Sequence, residues 1–225
     1  MIYGTNIEAP EVAVLLFISE EPPGSMSILE TTETPVPAFS PLVRRYTLEE
    51  FWALAEPGGG AHYELIGGTL FMVPPPDPPH DDLDMRMNAS LQNFLITTRT
   101  LGGIYHPRAA IYLDDSFIEP DMMYVSEQLK AKMGRQRTSA DIVFEYLSRT
   151  TANYDRTMKA DTYLALGVRE LWLVDPETRT VEIRNATAAS DSPVWKIRRF
   201  GPSESATSLV LTGWQVSVEN LFAGL

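Results

Sequence analysis

The sequence contains no cysteine. Disulfide bonds, thiolate nucleophiles and cysteine-bound metals are therefore excluded as a basis for its fold or its chemistry. Long apolar runs are also missing, because the run VAVLLFI near the start has about seven residues, whereas roughly 20 are needed to cross a bilayer. No basic segment precedes that run, so we expect neither a signal peptide nor a membrane anchor, and we expect a cytoplasmic protein.

Positive charge is scarce as well. The chain has 18 Lys and Arg residues against 30 Asp and Glu residues, which gives a formal net charge of -12. Affinity for nucleic acid that is independent of sequence comes from Lys and Arg, so a broad DNA-coating surface is not expected. An acidic protein can still hydrolyse phosphodiesters, because divalent cations held by carboxylates reverse the sign of the field where the phosphate must lie.

The 225 residues are 44% hydrophobic and 21% charged, a composition typical of one globular domain with a sizeable core. Residues 1–40 are rich in proline and include the segment SMSILETTETPVPAFS. Such a composition predicts a partly ordered N-terminal extension, to which VAVLLFI could add a strand. The folded domain is predicted over residues 41–225.

The first elements of this domain have local signatures. Thr47 followed by Glu50 at the third helical position predicts a capped helix, and YELIGGTLFMV predicts a hairpin that turns at Gly67 and Gly68. Apolar residues at spacings of three and four over residues 80–101 predict a helix that ends at Gly102-Gly103.

The rest of the chain alternates between strands and helices. AAIYLDD, IEPDMMYVS and DIVFEYLS predict strands, residues 153–166 predict a helix that ends at Gly167, and RELWLVD and RTVEIRN predict two strands joined by a PET turn. The stretch from VWKIRRF through LVLTGW predicts another strand pair before a short terminal helix. The fold class is therefore α/β (α+β), with a mixed β-sheet flanked by helices.

Two acids and a lysine are candidates for phosphodiester chemistry. Asp121 opens the strand DMMYV, and Glu145 lies inside the apolar strand IVFEYL, on the face opposite Phe144. Glu145 is either solvated on an open sheet face or part of a site. Asp155 and Lys159, four residues apart on a helix, form either a surface ion pair or a pair that faces the sheet edge near Glu145.

The motifs YELIGG, PPPDPPH, IEPD, DIVFEYLSRTT and DRTMKADTYLALGVRELWLVDP, in this order, resemble the Uma-two family of bacterial restriction-endonuclease-like proteins, within the PD-(D/E)xK nucleases. The resemblance covers residue 46 to the C-terminus. It implies a restriction-endonuclease-like core and hydrolysis of DNA phosphodiester bonds with Mg²⁺, or alternatively Mn²⁺. It also implies a metal site at Asp121 and Glu145. Glu64 either completes this site or is a polar position of the hairpin.

One position departs from the superfamily pattern. A lysine is expected two residues after the second acid, where this chain has Leu147. We assign the role of that lysine, orienting or helping to activate the attacking water, to Lys159. Asp121, Glu145 and Lys159 are thus the predicted catalytic residues.

Three accessory residues flank this set. His80 could contact phosphate or transfer protons near neutral pH, or it could simply begin a helix. Ser148 could contact phosphate or cap a turn, and Asp155 could support Lys159. Lys130, Lys132 and Arg135 of the segment KAKMGRQR could contact the DNA backbone or lie in a solvated loop. Arg149 lies beside the proposed site and is a further candidate for a DNA contact.

Two other functions remain open. The same fold could serve as a catalytically inactive nucleic-acid-binding or oligomerising module, which the acidic charge and Leu147 both allow. A hydrolase of RNA or of a small nucleotide is a further alternative. A homodimer is expected for the nuclease, because cutting two strands needs two sites and the C-terminal strands offer a self-complementary edge.

Overall fold

The computed structural model describes residues 44–76, 78–189 and 192–225. The predicted N-terminal extension, with its VAVLLFI segment, lies outside these residues, so its boundary at residue 40 stays a prediction. No helix in the described part of the chain is long and apolar enough to cross a membrane.

The elements follow the chain in a mixed order. The strands are β1 (His62–Ile66), β2 (Thr69–Val73), β3 (Gly102–Tyr105), β4 (Ile111–Leu113), β5 (Ser116–Ile118), β6 (Met122–Ser126), β7 (Ile142–Tyr146), β8 (Glu170–Asp175), β9 (Thr180–Ala189), β10 (Ser192–Phe200), β11 (Ser205–Thr207) and β12 (Gln215–Ser217). The helices are α1 (Leu48–Trp52), α2 (His80–Thr98), α3 (Glu127–Met133), α4 (Ala152–Tyr154), a π-helical turn (Asp155–Lys159), α5 (Ala160–Ala165) and α6 (Val218–Leu221).

A six-stranded sheet with the order β10-β9-β8-β7-β6-β3 forms the centre of the fold. Its neighbouring strands are antiparallel except β7 and β8, which run parallel. Parallel neighbours need a long crossover connection. Here the crossover contains α4, the π-helical turn and α5, and it therefore carries the predicted residues Asp155 and Lys159.

A second sheet, β2-β1-β5-β4, is entirely antiparallel. The predicted hairpin is confirmed: β1 and β2 pair around Gly67 and Gly68, which both have positive φ. Just after β5, the backbone N of Glu119 donates a hydrogen bond to the side chain of Glu64 on β1. This contact brings the acid of the hairpin close to the start of β6, where Asp121 lies.

The two faces of the central sheet pack against different partners. One face packs against α2 and the C-terminal segment through a cluster that includes Phe144, Trp172 and Trp214, with the two tryptophan rings 4.9 Å apart. The other face packs against the crossover through Val143 and Tyr163. Alternation along β7 therefore places Glu145 on the crossover face, as the sequence predicted.

The predicted end of α2 is wrong. The helix ends at Thr98, and Arg99 closes it in a left-handed conformation with φ 54°. Gly102 and Gly103 instead open β3, where a side chain on Gly102 would overlap the ring of Tyr124. These glycines are explained by close packing inside the sheet rather than by helix termination.

Two other local predictions also need correction. KAKMGRQR is not a loop throughout, because Lys130 and Lys132 lie on α3, whose N-terminus is capped by the side chain of Ser126. LVLTGW is not a strand, because the Ser208 hydroxyl accepts hydrogen bonds from the backbone N of Val210 and of Leu211 and folds the segment into a turn. The strand pair of this region is β11 with β12.

Helix α2 allows a matched test of the core. Leu91 is fully buried and Ile96 on the same helix is 74% exposed. We expect Leu91→Ala to lower the free energy of unfolding by about 2–5 kcal/mol, because it opens a cavity in the aromatic cluster. Ile96→Ala should change it by less than about 0.5 kcal/mol. Urea denaturation followed by tryptophan fluorescence measures both, and equal losses would contradict this account of the core.

Candidate active site

A buried ammonium group lies at the centre of the predicted residues. Nζ of Lys159 is 2.8 Å from Oε1 of Glu145, 3.3 Å from Oε1 of Glu64 and 3.8 Å from Oδ1 of Asp155. All four residues are buried. Asp155 and Lys159 therefore belong to an internal charge network and are not a surface ion pair.

Two tyrosines complete the hydrogen bonds of this network. Tyr154 donates its hydroxyl hydrogen bond to Oε2 of Glu64 over 2.9 Å, and Tyr163 donates to Oε1 of Glu145. Sequence reasoning missed both residues. Tyr163 follows Lys159 by four residues, a spacing that places the two on one helical face and could have revealed it. Tyr154 gave no such signal, because the π-helical turn that follows it widens the helix.

Asp121 reaches the same region from the start of β6. Its Oδ2 atom accepts a hydrogen bond of 2.7 Å from the backbone N of Tyr146, on the neighbouring strand β7, and lies 3.2 Å from Nε2 of His80. His80 is the first residue of α2, and its ring packs edge-on against Tyr146. The helix-start position predicted for His80 is thus confirmed, together with a direct contact to Asp121.

Protonation states follow from burial and charge. Burial favours the neutral form of Lys159, but Glu145 and Glu64 outweigh it and raise the pKa of Lys159 well above its ordinary value. Burial raises the pKa of Glu145 well above the ordinary carboxyl value, and the Lys159 ammonium only partly opposes this rise. For Asp121, burial also favours the neutral acid, but the hydrogen bond from His80 holds its pKa below the ordinary value. Lys159 is therefore a cation and Asp121 an anion at neutral pH.

An open cleft exposes part of this network. Its lining includes six of the predicted residues: His80, Asp121, Glu145, Ser148, Asp155 and Lys159. Within the described chain, no hydrogen bond engages Oδ1 of Asp121 or Oε2 of Glu145. Each acid thus has one uncommitted oxygen on a side chain that lines the cleft.

The donor set suits a hard cation. No group of three or more His, Asp or Glu residues within the described ranges is arranged to hold a metal ion. Mg²⁺ needs less than that, because one or two carboxylates commonly bind it while water and substrate phosphate complete its shell. Asp121 and Glu145 could therefore hold such an ion.

Glu64 has a different position from these two acids. It is fully buried and does not belong to the cleft lining. Its Oε1 accepts from the backbone N of Glu119 and contacts Lys159, while its Oε2 accepts from Tyr154. Both oxygens of Glu64 are thus committed to positioning Lys159 and the hairpin.

The family of the chain can be stated from its sequence. A family model named Uma2 and described as "Putative restriction endonuclease" matches residues 48–219. The chain belongs to the Uma2 family. The resemblance drawn from the motifs is thereby confirmed. No curated protein matches the sequence significantly.

A solved structure shares the fold of this Uma2 protein. It is described as "a putative nuclease belonging to DUF820" from Anabaena variabilis ATCC 29413. The two chains are 19% identical and superpose with a TM-score of 0.63, over 79% of this chain and 97% of the other. At this identity the likeness supports the fold, and the predicted fold class is confirmed.

Leu147 stands in this Uma2 chain at the position, two residues after Glu145, where a lysine was expected. Leu147 is buried in the apolar cluster on the crossover face of the central sheet. Lys159 approaches Glu145 on that same face, since Lys159 lies on the crossover that covers the face.

Ser148 and the predicted basic residues lie around this centre. The Ser148 hydroxyl accepts a hydrogen bond from the backbone N of Thr151 and so caps the turn that precedes α4. Arg149 lines a groove that shares His80 and Ser148 with the cleft, and it pairs with Glu177 over 3.3 Å. The remaining predicted basic residues, Lys130, Lys132 and Arg135, do not line the cleft.

Another set of polar residues in the cleft lining was not found from the sequence. Glu119, His62 and Arg108 line the cleft together with the predicted residues. Glu119 stands in the IEPD motif, two residues before Asp121, and this proximity was an available signal. His62 stands two residues before Glu64, on the same face of β1 by alternation. Nothing in the sequence pattern marks Arg108.

The burial of Asp155 predicts a dependence of stability on pH. Burial raises the pKa of Asp155 from 3.8 to about 6, so the folded chain binds this proton more tightly than the unfolded chain. The contribution of Asp155 to the free energy of unfolding is therefore greatest below pH 4 and falls as the pH rises towards 6. We expect Asp155→Asn to raise the free energy of unfolding at pH 8 by roughly 1–3 kcal/mol, with the gain vanishing near pH 4.

Urea denaturation between pH 4 and pH 8 measures this gain. Asp161→Asn is the matched control, because Asp161 is exposed on α5. Its effect should stay within about 0.5 kcal/mol at every pH. An Asp155→Asn variant that is less stable than the parent at pH 8 would show that the Asp155 carboxylate stabilises Lys159 by more than its burial costs.

Proposed function

We propose that this Uma2 protein is a metal-dependent endonuclease that hydrolyses DNA phosphodiester bonds, with Mg²⁺ or Mn²⁺ as its cofactor. The observation that carries this proposal is the pairing of two carboxylates, Asp121 and Glu145, in one cleft beside the buried cation Lys159. The family description supports the nuclease class. A cytoplasmic location belongs to the same proposal.

Each residue of the site has a separate proposed role. Asp121 and Glu145 would hold the metal ion, which when bound supplies polarisation of the phosphate and acidification of a water molecule. Lys159, held as a cation, orients the attacking water and stabilises the negative charge that develops on the phosphate oxygens. It does not act as a base, since its neighbours raise its pKa. His80 keeps Asp121 oriented, and Glu64 keeps Lys159 in place.

A homodimer fits this activity. Strand β10 forms one edge of the central sheet and exposes Val194 and Ile197. Two copies that pair through these C-terminal strands would supply two active sites for two DNA strands. Arg149, in the groove next to the cleft, is proposed to contact the DNA backbone, and Lys130, Lys132 and Arg135 are proposed as more distant contacts.

A catalytically inactive nucleic-acid-binding or oligomerising module is the second candidate. Leu147 in place of the superfamily lysine favours it. Metal binding separates the two candidates. Uptake of Mn²⁺ that depends on Asp121 and Glu145 supports the nuclease.

Cleavage of plasmid DNA tests the proposed residues. We expect Asp121→Asn, Glu145→Gln and Lys159→Gln each to lower kcat/KM at least about a hundredfold, because the first two remove a proposed metal ligand and the third removes the cation beside the reacting phosphate. Asp161→Asn changes an exposed residue outside the cleft and should leave cleavage unchanged. Circular dichroism confirms that each variant is folded.

Calorimetric titration with Mn²⁺ accompanies the cleavage assay. The parent and Asp161→Asn should bind the ion, whereas Asp121→Asn and Glu145→Gln should lose at least about tenfold in affinity. Full cleavage by the folded Asp121→Asn and Lys159→Gln variants would refute the proposed active site. Absence of both cleavage and Mn²⁺ uptake in the parent would favour the inactive module.

A further inference from the structure

A short loop between β3 and β4 borders the cleft and is fixed at its first residue. Nδ1 of His106 lies 3.0 Å from Oδ2 of Asp84, which belongs to α2. The backbone N of Ala109 donates a hydrogen bond to the carbonyl oxygen of His106 and closes a tight turn. Residues 106–109 are thus held against the helix that also carries His80.

Arg108 lies in this turn with a φ of 75°. Residues other than glycine rarely adopt this left-handed conformation, and those that do are found disproportionately at ligand-binding sites. The side chain of Arg108 lines the same cleft as Asp121, Glu145 and Lys159. The unusual backbone conformation therefore coincides with a cation at the proposed active site.

The guanidinium group of Arg108 makes no hydrogen bond within the described residues and forms two long ion pairs. Its nearest carboxylate oxygens are Oε2 of Glu56 at 3.6 Å and Oε2 of Glu119 at 3.9 Å. Both distances exceed that of a hydrogen bond, and the side chain is 58% exposed. A guanidinium offers five donors in a planar fork that matches two phosphate oxygens. These donors remain available to a ligand in the cleft.

The charge of the other residues in the cleft lining indicates what Arg108 could bind. Among the described residues that line the cleft, Lys159 is the one Lys or Arg besides Arg108. Its ammonium group is enclosed by Glu64, Glu145 and Asp155. Anionic side chains thus dominate the floor, and before the proposed metal ion binds they would repel a phosphodiester. Arg108 is the accessible fixed cation of the lining that could offset this repulsion.

We propose that Arg108 is a positioning residue that binds a backbone phosphate of the nucleic-acid substrate and holds the strand over Asp121 and Glu145. This inference rests on the proposed nuclease function. It assigns to Arg108 a contact with substrate phosphate, not a part in the bond-breaking step. A purely structural role, bridging Glu56 and Glu119, is the alternative that the experiment must separate.

The test uses substitutions that preserve the backbone. Arg108→Asn removes the cation while asparagine tolerates a left-handed conformation. Arg99→Asn is the matched control, because Arg99 also has a positive φ, 54°, but closes α2 outside the cleft. Binding of a DNA duplex is measured by fluorescence anisotropy across a KCl series with Ca²⁺ in place of Mg²⁺, and cleavage kinetics are measured with Mg²⁺.

We expect Arg108→Asn to weaken binding roughly tenfold at low salt and to reduce the slope of log K against log[KCl] by about one. KM should rise by a similar factor while kcat changes less than about threefold, because the contact exists before and during the reaction. Arg108→Lys should restore the slope but only part of the affinity, since an ammonium lacks the planar fork. Arg99→Asn should match the parent.

Three outcomes would overturn the assignment. An unchanged salt slope and KM in Arg108→Asn, with a parent that cleaves DNA, refutes the role of Arg108 alone. A loss of kcat that accompanies a lower melting temperature, with KM and the slope unchanged, indicates the structural bridge to Glu56 and Glu119. A folded parent that neither binds nor cleaves DNA refutes the proposed function. It also refutes the assignment of Arg108, which rests on that function.

Discussion

The enclosure of the Lys159 ammonium among carboxylates is the interaction on which the rest of the site depends. Removing a charge from water costs several kcal/mol unless paired and hydrogen-bonded groups surround it. Here the partners come from separate parts of the chain: Glu64 from the hairpin, Glu145 from β7 and Asp155 from the crossover. The charge network therefore joins both sheets, and the site can form only when the whole domain is folded.

The parallel pairing of β7 and β8 makes this enclosure possible. It requires the chain to cross over one face of the sheet, and that crossover brings Lys159 above Glu145. The π-helical turn over Asp155–Lys159 and the hydroxyl groups of Tyr154 and Tyr163 then set the positions of the charged atoms. Irregular helical turns of this kind are frequent at functional sites, because their extra width redirects side chains.

A second polar network supports the rim of the cleft. Asp84 accepts a hydrogen bond from the hydroxyl of Tyr146 and contacts His106, while the backbone N of Tyr146 donates to Asp121. The same strand end thus orients a catalytic candidate at the floor and, through α2, the loop that carries Arg108. Carboxylates alone repel phosphate, so an anionic substrate needs the proposed metal ion at the floor, and the proposed contact with Arg108 at the rim adds to the attraction.

The sequence by itself determined the elements with local causes: the capping box at Thr47, the glycine hairpin, the apolar face of α2 and the alternation that places Glu145 on one face of β7. It also predicted Asp121 and Glu145 as site residues from strand placement and family resemblance, and Lys159 as the replacement for the lysine that Leu147 does not supply; their catalytic roles stay predictions. The tertiary structure alone decided that Gly102 serves sheet packing, that Glu64 lies behind Lys159, and that Arg108 reaches the cleft. The physical reason is that these properties depend on contacts between residues far apart in the chain, which leave no periodic signal in the sequence.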